Sequence, residues 1–488
     1  MTALAIQRPE THPASSAALP LCVDLDGALV HSDTLAEAMM SLSGDPRMAL
    51  ALLKLPLTGR AAFKHQVALM SHLEVDLLPY NEPLIAYLRE QKAAGRYLVL
   101  ATAANQALAE AVAAHLGLFD EVIASDETRN LKGARKAQAL CERFGDRGFV
   151  YAGNDHSDLA VWDRAAGAVL VNTSPGVARR AERSASIEGR FAGPARSAKT
   201  FLRALRPHQW LKNLLVFVPI VTAHAITDMM AWMHAVLAFA AFCATASSIY
   251  LINDATDLSA DRRHHRKRNR PLASGAISLP TALLTAVVLA GLGAGLAVSA
   301  GVGLVVAGYA VMSVSYSLKL KELPLVDVFL LGGLYTIRIF GGGVATGHNL
   351  SLWLLGFSGF LFLGLALLKR VTELSTLSRK QERFASRRGY TTDDLPILQV
   401  FGCAASFASS LVLALFVQQA ATAEQYASPG LLWGIVPLML FWQCRLWLST
   451  ARGYMHDDPI VYSGRDWVSW MVGGGVMLLL VVAHSVAV

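Results

Sequence analysis

The clearest chemistry in this sequence lies in one short acidic stretch. An apolar run at 231–252 leads directly into four polar residues, Asn253, Asp254, Asp257 and Asp261. If the helix carrying the apolar run continues, these side chains share one helical face, because residues three and four apart are neighbours on a helix. Crowded carboxylates repel one another unless a cation lies among them, and Mg²⁺ prefers such oxygen ligands together with substrate phosphates. The spacing predicts a Mg²⁺ and phosphate site at a membrane boundary; a solvated polar loop is the alternative.

The same stretch resembles the first Asp-rich motif, NDxxDxxxD, of the UbiA superfamily of intramembrane prenyltransferases. The four polar residues fill all the fixed places of that motif, and Lys267 and Arg270-Pro271-Leu272 match the residues that follow it. The resemblance implies that the Asp side chains hold Mg²⁺ on a diphosphate while basic residues neutralise the remaining charge. It therefore implies the departure of pyrophosphate from an activated carbon. The implied metal ligands are Asp254, Asp257 and Asp261, and the implied substrate contacts are Asn253, Lys267 and Arg270.

Composition divides the chain into a soluble part and a membrane part. The 488 residues are 54% hydrophobic, with a mean hydropathy of +0.41, which is too apolar for an ordinary soluble enzyme. Charges occur throughout the first 200 residues, whereas apolar runs of nearly bilayer length follow from about residue 212. The net charge of +7 comes from basic residues between apolar runs, so we expect membrane topology rather than nucleic-acid binding. The five cysteines show no paired spacing and predict neither a disulfide set nor a zinc site.

The soluble part has the pattern of a parallel sheet with helices on its faces. Helical patterns separate five short apolar runs, at 20–24, 97–101, 121–125, 149–152 and 168–172. The first run leads into Asp24 and Asp26, which at i and i+2 can face the same way across the crevice of an open α/β sheet. Such a pair suits phosphoryl transfer, in which one carboxylate attacks phosphorus and the other exchanges a proton with the leaving oxygen.

Further residues make this part resemble the haloacid dehalogenase (HAD) superfamily of phosphohydrolases. Thr102 ends the second apolar run, Lys132 follows Asn130-Leu131, and Gly153 to Asp158 follow another run. The resemblance implies that Asp24 is the nucleophile, Asp26 the acid/base, and Thr102 and Lys132 the phosphate contacts. The implied Mg²⁺ ligands are Asp24, the backbone of Asp26, and the loop with Asn154, Asp155 and Asp158. Asn154 stands where Asp is common, which leaves Asp155 or Asp158 as the carboxylate ligand. A domain kept only for packing or docking is the alternative.

The rest of the chain predicts an all-α membrane domain. We predict nine spans, near 213–227, 231–252, 280–299, 302–318, 325–345, 351–368, 395–420, 430–447 and 467–487. Lys and Arg follow the even-numbered spans and are absent at 228–230, 300–301, 346–350 and 421–429. This asymmetry predicts a plasma-membrane protein whose N-terminal domain is cytoplasmic and whose C-terminus lies outside. Nine helices is also the number that the UbiA resemblance implies.

A second polar cluster lies within the predicted spans and consists of Tyr316, Lys319, Asp327 and Arg338. Ionised groups inside a span normally line a cavity, so we predict substrate contacts here, with Asp327 among the catalytic residues. The cluster resembles the second acidic region of the UbiA superfamily but departs from its DxxxD form, because Leu331 takes the second acidic place. Together with the Arg206-Pro-x-Gln-Trp-x-Lys-Asn213 segment, this resembles the branch that makes decaprenylphosphoryl 5-phosphoribose.

These features predict a bifunctional enzyme with four segments. They are a disordered terminus at 1–19, a HAD-like domain with a small helical cap at 20–177, a basic linker and interfacial helix at 178–206, and a UbiA-like domain at 207–488. The expected reaction joins phosphoribosyl pyrophosphate to a polyprenyl phosphate, after which the HAD-like domain removes the 5-phosphate. Two alternatives are a prenyltransferase acting on an aromatic or other small acceptor, and a lipid-binding scaffold with inactive sites. The sequence predicts no oligomeric state.

Overall fold

The computed structural model describes residues 18–42, 48, 62–71, 73–194, 197–348, 350–379, 381, 388–422, 426–455 and 458–485. Two compact units divide the chain: Met1–Ala204 with Leu251–Thr285, and Leu205–Tyr250 with Ala286–Val488. The acidic stretch thus belongs to the same unit as the N-terminal α/β fold. This division differs from the predicted single domain at 207–488. The predicted disordered terminus falls almost entirely outside the described residues.

The first unit is built on one six-stranded, wholly parallel sheet in the order β3-β2-β1-β4-β5-β6. The strands are β1 Leu21–Val23, β2 Leu98–Asn105, β3 Glu121–Ser125, β4 Val150–Gly153, β5 Gly167–Val171 and β6 Ser186–Phe191. β1 lies between β2 and β4 and is fully buried, as expected for a central strand covered on both faces. The predicted α/β class is confirmed, and the carboxyl ends of β1, β2 and β4 lie side by side.

Helices lie between the strands and after the last one. They are α1 Thr34–Ser41, α2 Glu82–Ala93, α3 Gln106–Leu116, α4 Ala134–Phe144, α5 Leu159–Trp162, α6 Pro175–Ser184 and α7 Ala198–Ala204. Asp33, Asn81 and Asn105 accept hydrogen bonds from the free N–H groups at the starts of α1, α2 and α3. Residues 62–70 are also helical, and Phe63 and Val67 pack with Ala38 of α1 in a small core of their own. The small helical cap that the sequence predicts within 20–177 therefore has a structural counterpart in α1 and the helix at 62–70.

The predicted linker at 178–206 is wrong for its first half. Residues to Ser184 complete α6, and β6 then pairs in parallel with β5 along Ser186–Phe191. Exposed and half-buried residues alternate along β6, and its apolar members Ile187 and Phe191 pack on the domain core. Polar residues between them hid this edge strand within a generally basic sequence. Of the predicted interfacial segment, α7 is helical.

The remaining part of the first unit contains the acidic stretch. Helix α8, Val218–Thr222, lies in the second unit. It is followed by α9 Met229–Thr256, α10 Leu258–Arg263 and a 3-10 turn at Lys267–Asn269. Only the end of α9, from Leu251, belongs to this unit. Asp257 separates α9 from α10, yet its N–H donates to Asn253 O and its carbonyl accepts from Asp261 N–H. The helical hydrogen-bond ladder therefore passes through the break, which keeps the predicted spacing of the acidic side chains.

The second unit is helical and apolar. Its further helices are α11 Leu279–Ser299, α12 Gly303–Leu318, α13 Val326–Thr346, α14 Leu352–Arg379, α15 Leu395–Thr422, α16 Ile435–Ala451, α17 Pro459–Ser463 and α18 Trp467–Ser485. Seven helices in the described part of the chain are long and apolar enough to cross a membrane: Met229–Thr256, Leu279–Ser299, Val326–Thr346, Leu352–Arg379, Thr392–Gln419, Pro429–Ala451 and Trp467–Ser485. The chain is a multi-pass membrane protein.

The predicted number of nine spans is not confirmed. The predicted span at 213–227 falls on a 3-10 helix at Pro207–Phe217 and the five-residue α8. The predicted span at 302–318 falls on α12, which has 16 residues, short of the length of about 20 that a bilayer requires. Hydropathy counts apolar residues but does not detect a change of helix type or a short helix, which explains both differences.

Candidate active sites

A polar cavity opens at the carboxyl ends of β1, β2 and β4. It has a volume of about 360 Å³, and Asp24, Asp26, Thr102, Lys132 and Asn154 all line it. The sheet explains this convergence, because β1 places Asp24 beside the ends of its two neighbouring strands. The residues that the sequence predicted for phosphoryl transfer are thus brought together around one space.

A buried lysine that the sequence reasoning missed neutralises Asp24. Lys136 Nζ lies 2.9 Å from Asp24 Oδ1 and 3.8 Å from Asp158 Oδ1, and it donates to the Tyr151 hydroxyl at 2.7 Å. Tyr151 in turn donates to Asp158 at 2.9 Å. Lys136 and Asp158 are only 2% and 1% exposed, so these charges depend on each other for stabilisation.

The predicted lysine, Lys132, lies on the cavity wall, but Lys136 makes the ion pair with Asp24. Lys136 stands in the first turn of α4, whose buried positions are Lys136, Ala137 and Leu140. That i, i+1, i+4 pattern is the signal that could have identified it, since a lysine on the buried face of a helix needs an acidic partner. Lys64, which also lines the cavity, donates to Ala103 O at 3.0 Å.

The loop after β4 is held by its own carboxylates. Asp158 Oδ2 accepts from the N–H groups of Asn154 at 2.8 Å and Asp155 at 3.1 Å, while Asp155 Oδ1 accepts from Ser157 N–H. Asp158 therefore faces inward, whereas Asn154 and Asp155 line the cavity. Gly27, at φ +79°, makes room for Asn154, because a Cβ there would lie 2.1 Å from Asn154 Nδ2.

The donor set of this cavity fits Mg²⁺. Asp24 and the side chain of Asn154 offer oxygen ligands on one wall, with Asp155 near by. No group of three or more His, Cys, Asp or Glu suited to a metal ion occurs in the part of the chain that the structure describes. Ligation here would consequently include amide or backbone oxygens.

Burial changes the acidity of both cavity aspartates. It raises the pKa of Asp24 to about 6, with Lys136 acting in the opposite direction and Asp158 adding to the rise. Burial likewise raises the pKa of Asp26 to about 7, helped by the charge of Asp33 and opposed by the Thr34 N–H that donates to Asp26 at 2.9 Å. A carboxyl that keeps its proton near neutrality is suited to protonate a leaving oxygen.

The acidic stretch of the same unit gathers around an arginine. Arg270 donates to Asp254 Oδ1 at 3.0 Å and to Asp261 Oδ2 at 2.5 Å, and Lys267 lies 3.9 Å from Asp261. Asp254 and Asp261 are 5% and 2% exposed, while Asp257 begins α10 between them. Two of the three carboxylates, those of Asp254 and Asp261, thus lie against one cation, and carboxylate oxygens are the type of ligand that Mg²⁺ prefers.

The second polar cluster is organised differently from the prediction. Asp327, fully buried, accepts from Arg370 at 2.5 Å and from the Tyr390 hydroxyl at 2.6 Å, with Arg388 3.7 Å away. Its carboxylate is therefore already held by arginines that no sequence pattern had linked to it. The same Arg388 accounts for Tyr316, whose hydroxyl accepts from it at 3.2 Å.

Arg338 and Lys319 do not join Asp327. Arg338 is buried and donates to Asn213 Oδ1 at 2.7 Å, to the Tyr309 hydroxyl at 3.1 Å and to Leu334 O. Lys319 is exposed at the end of α12. About three helical turns separate Arg338 from Asp327, so a shared face did not bring them into contact.

A separate cationic cluster involves the first residues of the second unit. Asp458 Oδ2 accepts from Lys212 at 2.8 Å and Lys369 at 3.0 Å, and lies 3.5 Å from the Tyr335 hydroxyl. The two lysines outnumber the one carboxylate, so the cluster carries a net positive charge.

Two family models match the parts of the chain that contain the two candidate sites. The description "UbiA prenyltransferase family" belongs to a family model that matches residues 214–457, half of the chain. The chain belongs to this family. A second model, described as haloacid dehalogenase-like hydrolase, matches residues 21–162, so the UbiA protein also has a HAD-like N-terminal domain. Both domains are enzyme domains, of a transferase and a phosphatase type, and both agree with the Mg²⁺ prediction.

Three curated relatives define the similarity further. Protein y4nM of Sinorhizobium fredii is 37% identical over 95% of this chain and 91% of its own length. Nodulation protein NoeC of Azorhizobium caulinodans is 35% identical over 58% of this chain and 92% of its own. Decaprenyl-phosphate phosphoribosyltransferase of Corynebacterium glutamicum is 39% identical over 187 residues, which are 37% of this chain and 56% of that enzyme.

Proposed function

We propose that this chain is a bifunctional membrane enzyme that transfers 5-phosphoribose and then dephosphorylates the product. The membrane site uses phosphoribosyl pyrophosphate and a polyprenyl phosphate, and the HAD-like domain removes the 5-phosphate to leave polyprenylphosphoryl ribose. The observation that carries the proposal is that one compact unit holds both an acidic diphosphate motif and a phosphatase cavity. Phosphoribosyl pyrophosphate carries a 1-diphosphate, which suits the acidic motif, and a 5-phosphate, which suits the phosphatase cavity. The partial similarity to decaprenyl-phosphate phosphoribosyltransferase supports the same donor.

In the transfer step, an oxygen of the lipid phosphate attacks the anomeric carbon of the ribose. The bond from that carbon to the diphosphate breaks, and pyrophosphate leaves with the electron pair. Asp254, Asp257 and Asp261 would hold Mg²⁺, which when bound neutralises the diphosphate and favours its departure. Lys267 and Arg270, which lie against these carboxylates, would take up the charge that develops on the leaving group.

The cationic residues of the second unit support a highly charged donor. Lys212 and Lys369 share the single carboxylate of Asp458, whereas Arg370 and Arg388 are balanced by Asp327 and Glu373. We assign Asp327 the role of holding these arginines in place. Such cations are suited to bind an anionic phosphate ester, and phosphoribosyl pyrophosphate carries one phosphate more than a prenyl diphosphate.

In the phosphatase step, Asp24 attacks the 5-phosphate and Asp26 protonates the ribose oxygen as the phosphorus–oxygen bond breaks. Water then attacks phosphorus of the aspartyl phosphate while Asp26 accepts a proton from it; the bond from phosphorus to the Asp24 oxygen breaks, the electron pair returns to the Asp24 carboxylate, and inorganic phosphate leaves. Thr102 and Lys132 on the cavity wall would contact the phosphate oxygens. Lys136 would hold Asp24 as the ionised nucleophile.

The second candidate is a prenyltransferase that moves an isoprenoid from its diphosphate to an aromatic or other small acceptor. The observation that favours it is the family description itself, which covers half of the chain. In that case the phosphatase would act on an unrelated phosphate ester.

Mass spectrometry of lipid products tests the proposal. The purified full-length protein is given Mg²⁺, polyprenyl phosphate and phosphoribosyl pyrophosphate, and we expect polyprenylphosphoryl ribose. Asp24→Asn should accumulate the 5-phosphorylated lipid with undiminished pyrophosphate release, because its membrane motif is intact. Asp257→Asn should form neither product.

Two results would contradict the scheme. If Asp24→Asn gives the same dephosphorylated lipid as the parent, the HAD-like domain does not act on the product. If the parent forms no ribosylated lipid but transfers a prenyl group to a small acceptor, the second candidate is correct.

A further inference from the structure

A buried ion pair joins the cap helix of the phosphatase cavity to the segment that follows the acidic motif. Arg262 donates to both carboxylate oxygens of Glu37, at 2.8 Å and 2.6 Å. The side chains are 8% and 3% exposed, so water does not compete for this two-pronged contact. Both residues belong to the first compact unit.

On one side, this pair leads to the phosphatase acid/base. Glu37 lies in the first turn of α1, and the first residue of that helix, Thr34, donates its N–H to Asp26 Oδ1 at 2.9 Å. Because a helix moves as a rigid element, a shift of Glu37 shifts the Thr34 N–H and with it the carboxylate of Asp26. The same helix contributes Thr34, Leu35 and Ala38 to the cavity wall.

On the other side, the pair leads to the acidic motif. Arg262 directly follows Asp261, which Arg270 holds at 2.5 Å, and Arg262 Nε donates to Ala273 O at 3.0 Å. Arg262 therefore connects the two ends of the segment from 261 to 273, because it lies at the first end and its side chain is hydrogen-bonded to the last residue.

The segment continues onto the cavity. Gly275 has φ +73°, and a Cβ added there would lie 2.5 Å from His31 Cβ, so this backbone packs closely against the loop before α1. Ser278, three residues later, lines the phosphatase cavity itself. One continuous stretch of chain thus runs from a ligand of the transferase motif to the wall of the phosphatase cavity.

We propose that Glu37 and Arg262 are positioning residues for the phosphatase, which fix α1 and thereby the Asp26 carboxylate to the segment that follows the transferase motif. This inference rests on the phosphatase half of the proposed function. Neither residue touches the substrate; each acts through the Thr34 N–H. Coupling between two sites is reciprocal for binding, so occupation of the acidic motif and of the phosphatase cavity should influence each other through this pair.

Two phosphate esters distinguish positioning of Asp26 from a general loss of structure. Ribose 5-phosphate has a poor leaving group that needs a proton from Asp26, whereas p-nitrophenyl phosphate has a good leaving group that does not. In the purified full-length protein, Glu37→Gln and Arg262→Met should lower kcat/KM for ribose 5-phosphate by about 10- to 100-fold, the usual effect of a misplaced catalytic group. The kcat/KM for p-nitrophenyl phosphate should change little, because this ratio reports the steps up to departure of the leaving group and excludes the later hydrolysis step that both esters share.

The matched control is Arg263→Gln. Arg263 is the next residue along the chain and pairs with Glu74 on the surface, where the two side chains are 60% and 40% exposed. Removal of this exposed pair should leave the ratio of the two kcat/KM values unchanged. The double exchange Glu37→Arg with Arg262→Glu restores the pair in reverse and should recover part of the activity with ribose 5-phosphate, which also covers the case in which a single variant folds poorly.

Hydrogen exchange provides a readout that does not depend on turnover. The peptide containing the Thr34 amide should exchange faster in Glu37→Gln than in the parent or in Arg263→Gln, because its acceptor is displaced. An equal fall of kcat/KM with both esters, or unchanged exchange of this peptide, would overturn the inference. If the parent hydrolyses neither ester, the phosphatase step of the proposed function fails, and hydrogen exchange alone then decides whether the pair positions α1.

Discussion

Replacement of Lys136 by Met removes the cation that lies between two buried carboxylates. Its Nζ is 2.9 Å from Asp24 Oδ1 and 3.8 Å from Asp158 Oδ1. At an effective dielectric constant of about 20, these distances correspond to attractions of about 6 and 4 kcal/mol. Desolvation of the three charges offsets much of this attraction. Loss of one partner from a buried pair therefore lowers the free energy of unfolding by about 3–5 kcal/mol.

The same change should disable the nucleophile. Burial raises the pKa of Asp24, and Lys136 limits that rise. Without Lys136 the pKa of Asp24 rises further, so more of this carboxyl is protonated at pH 7 and cannot attack phosphorus. We expect kcat to fall by about 100-fold or more, as for the loss of one charge-stabilising group, and the acidic limb of the pH profile to move to higher pH.

The assay is hydrogen exchange and phosphatase turnover of the full-length protein, with Lys132→Met as the matched control. Lys132 lines the same cavity four residues earlier. Lys136→Met should lower the protection of peptides that contain β1 and the loop at 154–158, whereas Lys132→Met should leave that protection intact and weaken substrate binding. Equal protection in the two variants, or a normal kcat in Lys136→Met, would refute the reasoning.

Three further predictions concern other parts of the chain. Asp257→Asn should lower pyrophosphate release by orders of magnitude at saturating Mg²⁺, and near-normal turnover would remove Asp257 from the metal site. Reporter fusions at Met1 and Val488 should report opposite sides of the membrane, with the N-terminus cytoplasmic, because either seven or nine spans is an odd number; the same side at both ends would contradict this. Asp26→Asn should abolish hydrolysis of ribose 5-phosphate and yet stabilise the fold more at pH 8 than at pH 5. Burial raises the pKa of Asp26 to about 7, whereas an Asp in the unfolded chain loses its proton at about pH 4. As pH rises from about 4 to 7, the unfolded chain releases a proton that the native state keeps, so the native state is destabilised; Asn has no such proton. Chemical denaturation at the two pH values measures this difference.

Short-range patterns predicted the fold and much of both candidate sites. Asp24 and Asp26 lie two residues apart at a strand end, and Asn253 to Asp261 lie on consecutive helical turns, so their proximity follows from local geometry alone. The order of apolar runs also predicted the parallel sheet, because each strand is short, apolar and separated from the next by a helical pattern. In these places, residues that are close in the sequence are also close in space.

Contacts between distant residues escaped the sequence. Asp327 is held by Arg370, Tyr390 and Arg388, which follow it by more than 40 residues and lie on other elements. Nothing in the local sequence indicates that helix packing brings these groups together. Lys136 is an intermediate case, since it lies only four residues from the predicted Lys132. The choice between the two depends on which face of α4 packs against the sheet.

The position of the boundary between the two compact units has a physical explanation in the segment 258–278. Hydropathy placed the domain boundary near residue 206, where the apolar runs begin, yet this segment is polar and packs with the α/β fold. Its contacts there are specific: Arg262 satisfies the buried charge of Glu37, Gly275 fits against His31, and Ser278 completes a cavity wall. A buried Glu without a cationic partner is strongly destabilising, so the α/β fold depends on a residue more than 200 positions away in the sequence. The segment 258–278 therefore belongs to the same compact unit as the α/β fold, although it lies within the residues that the UbiA family model matches.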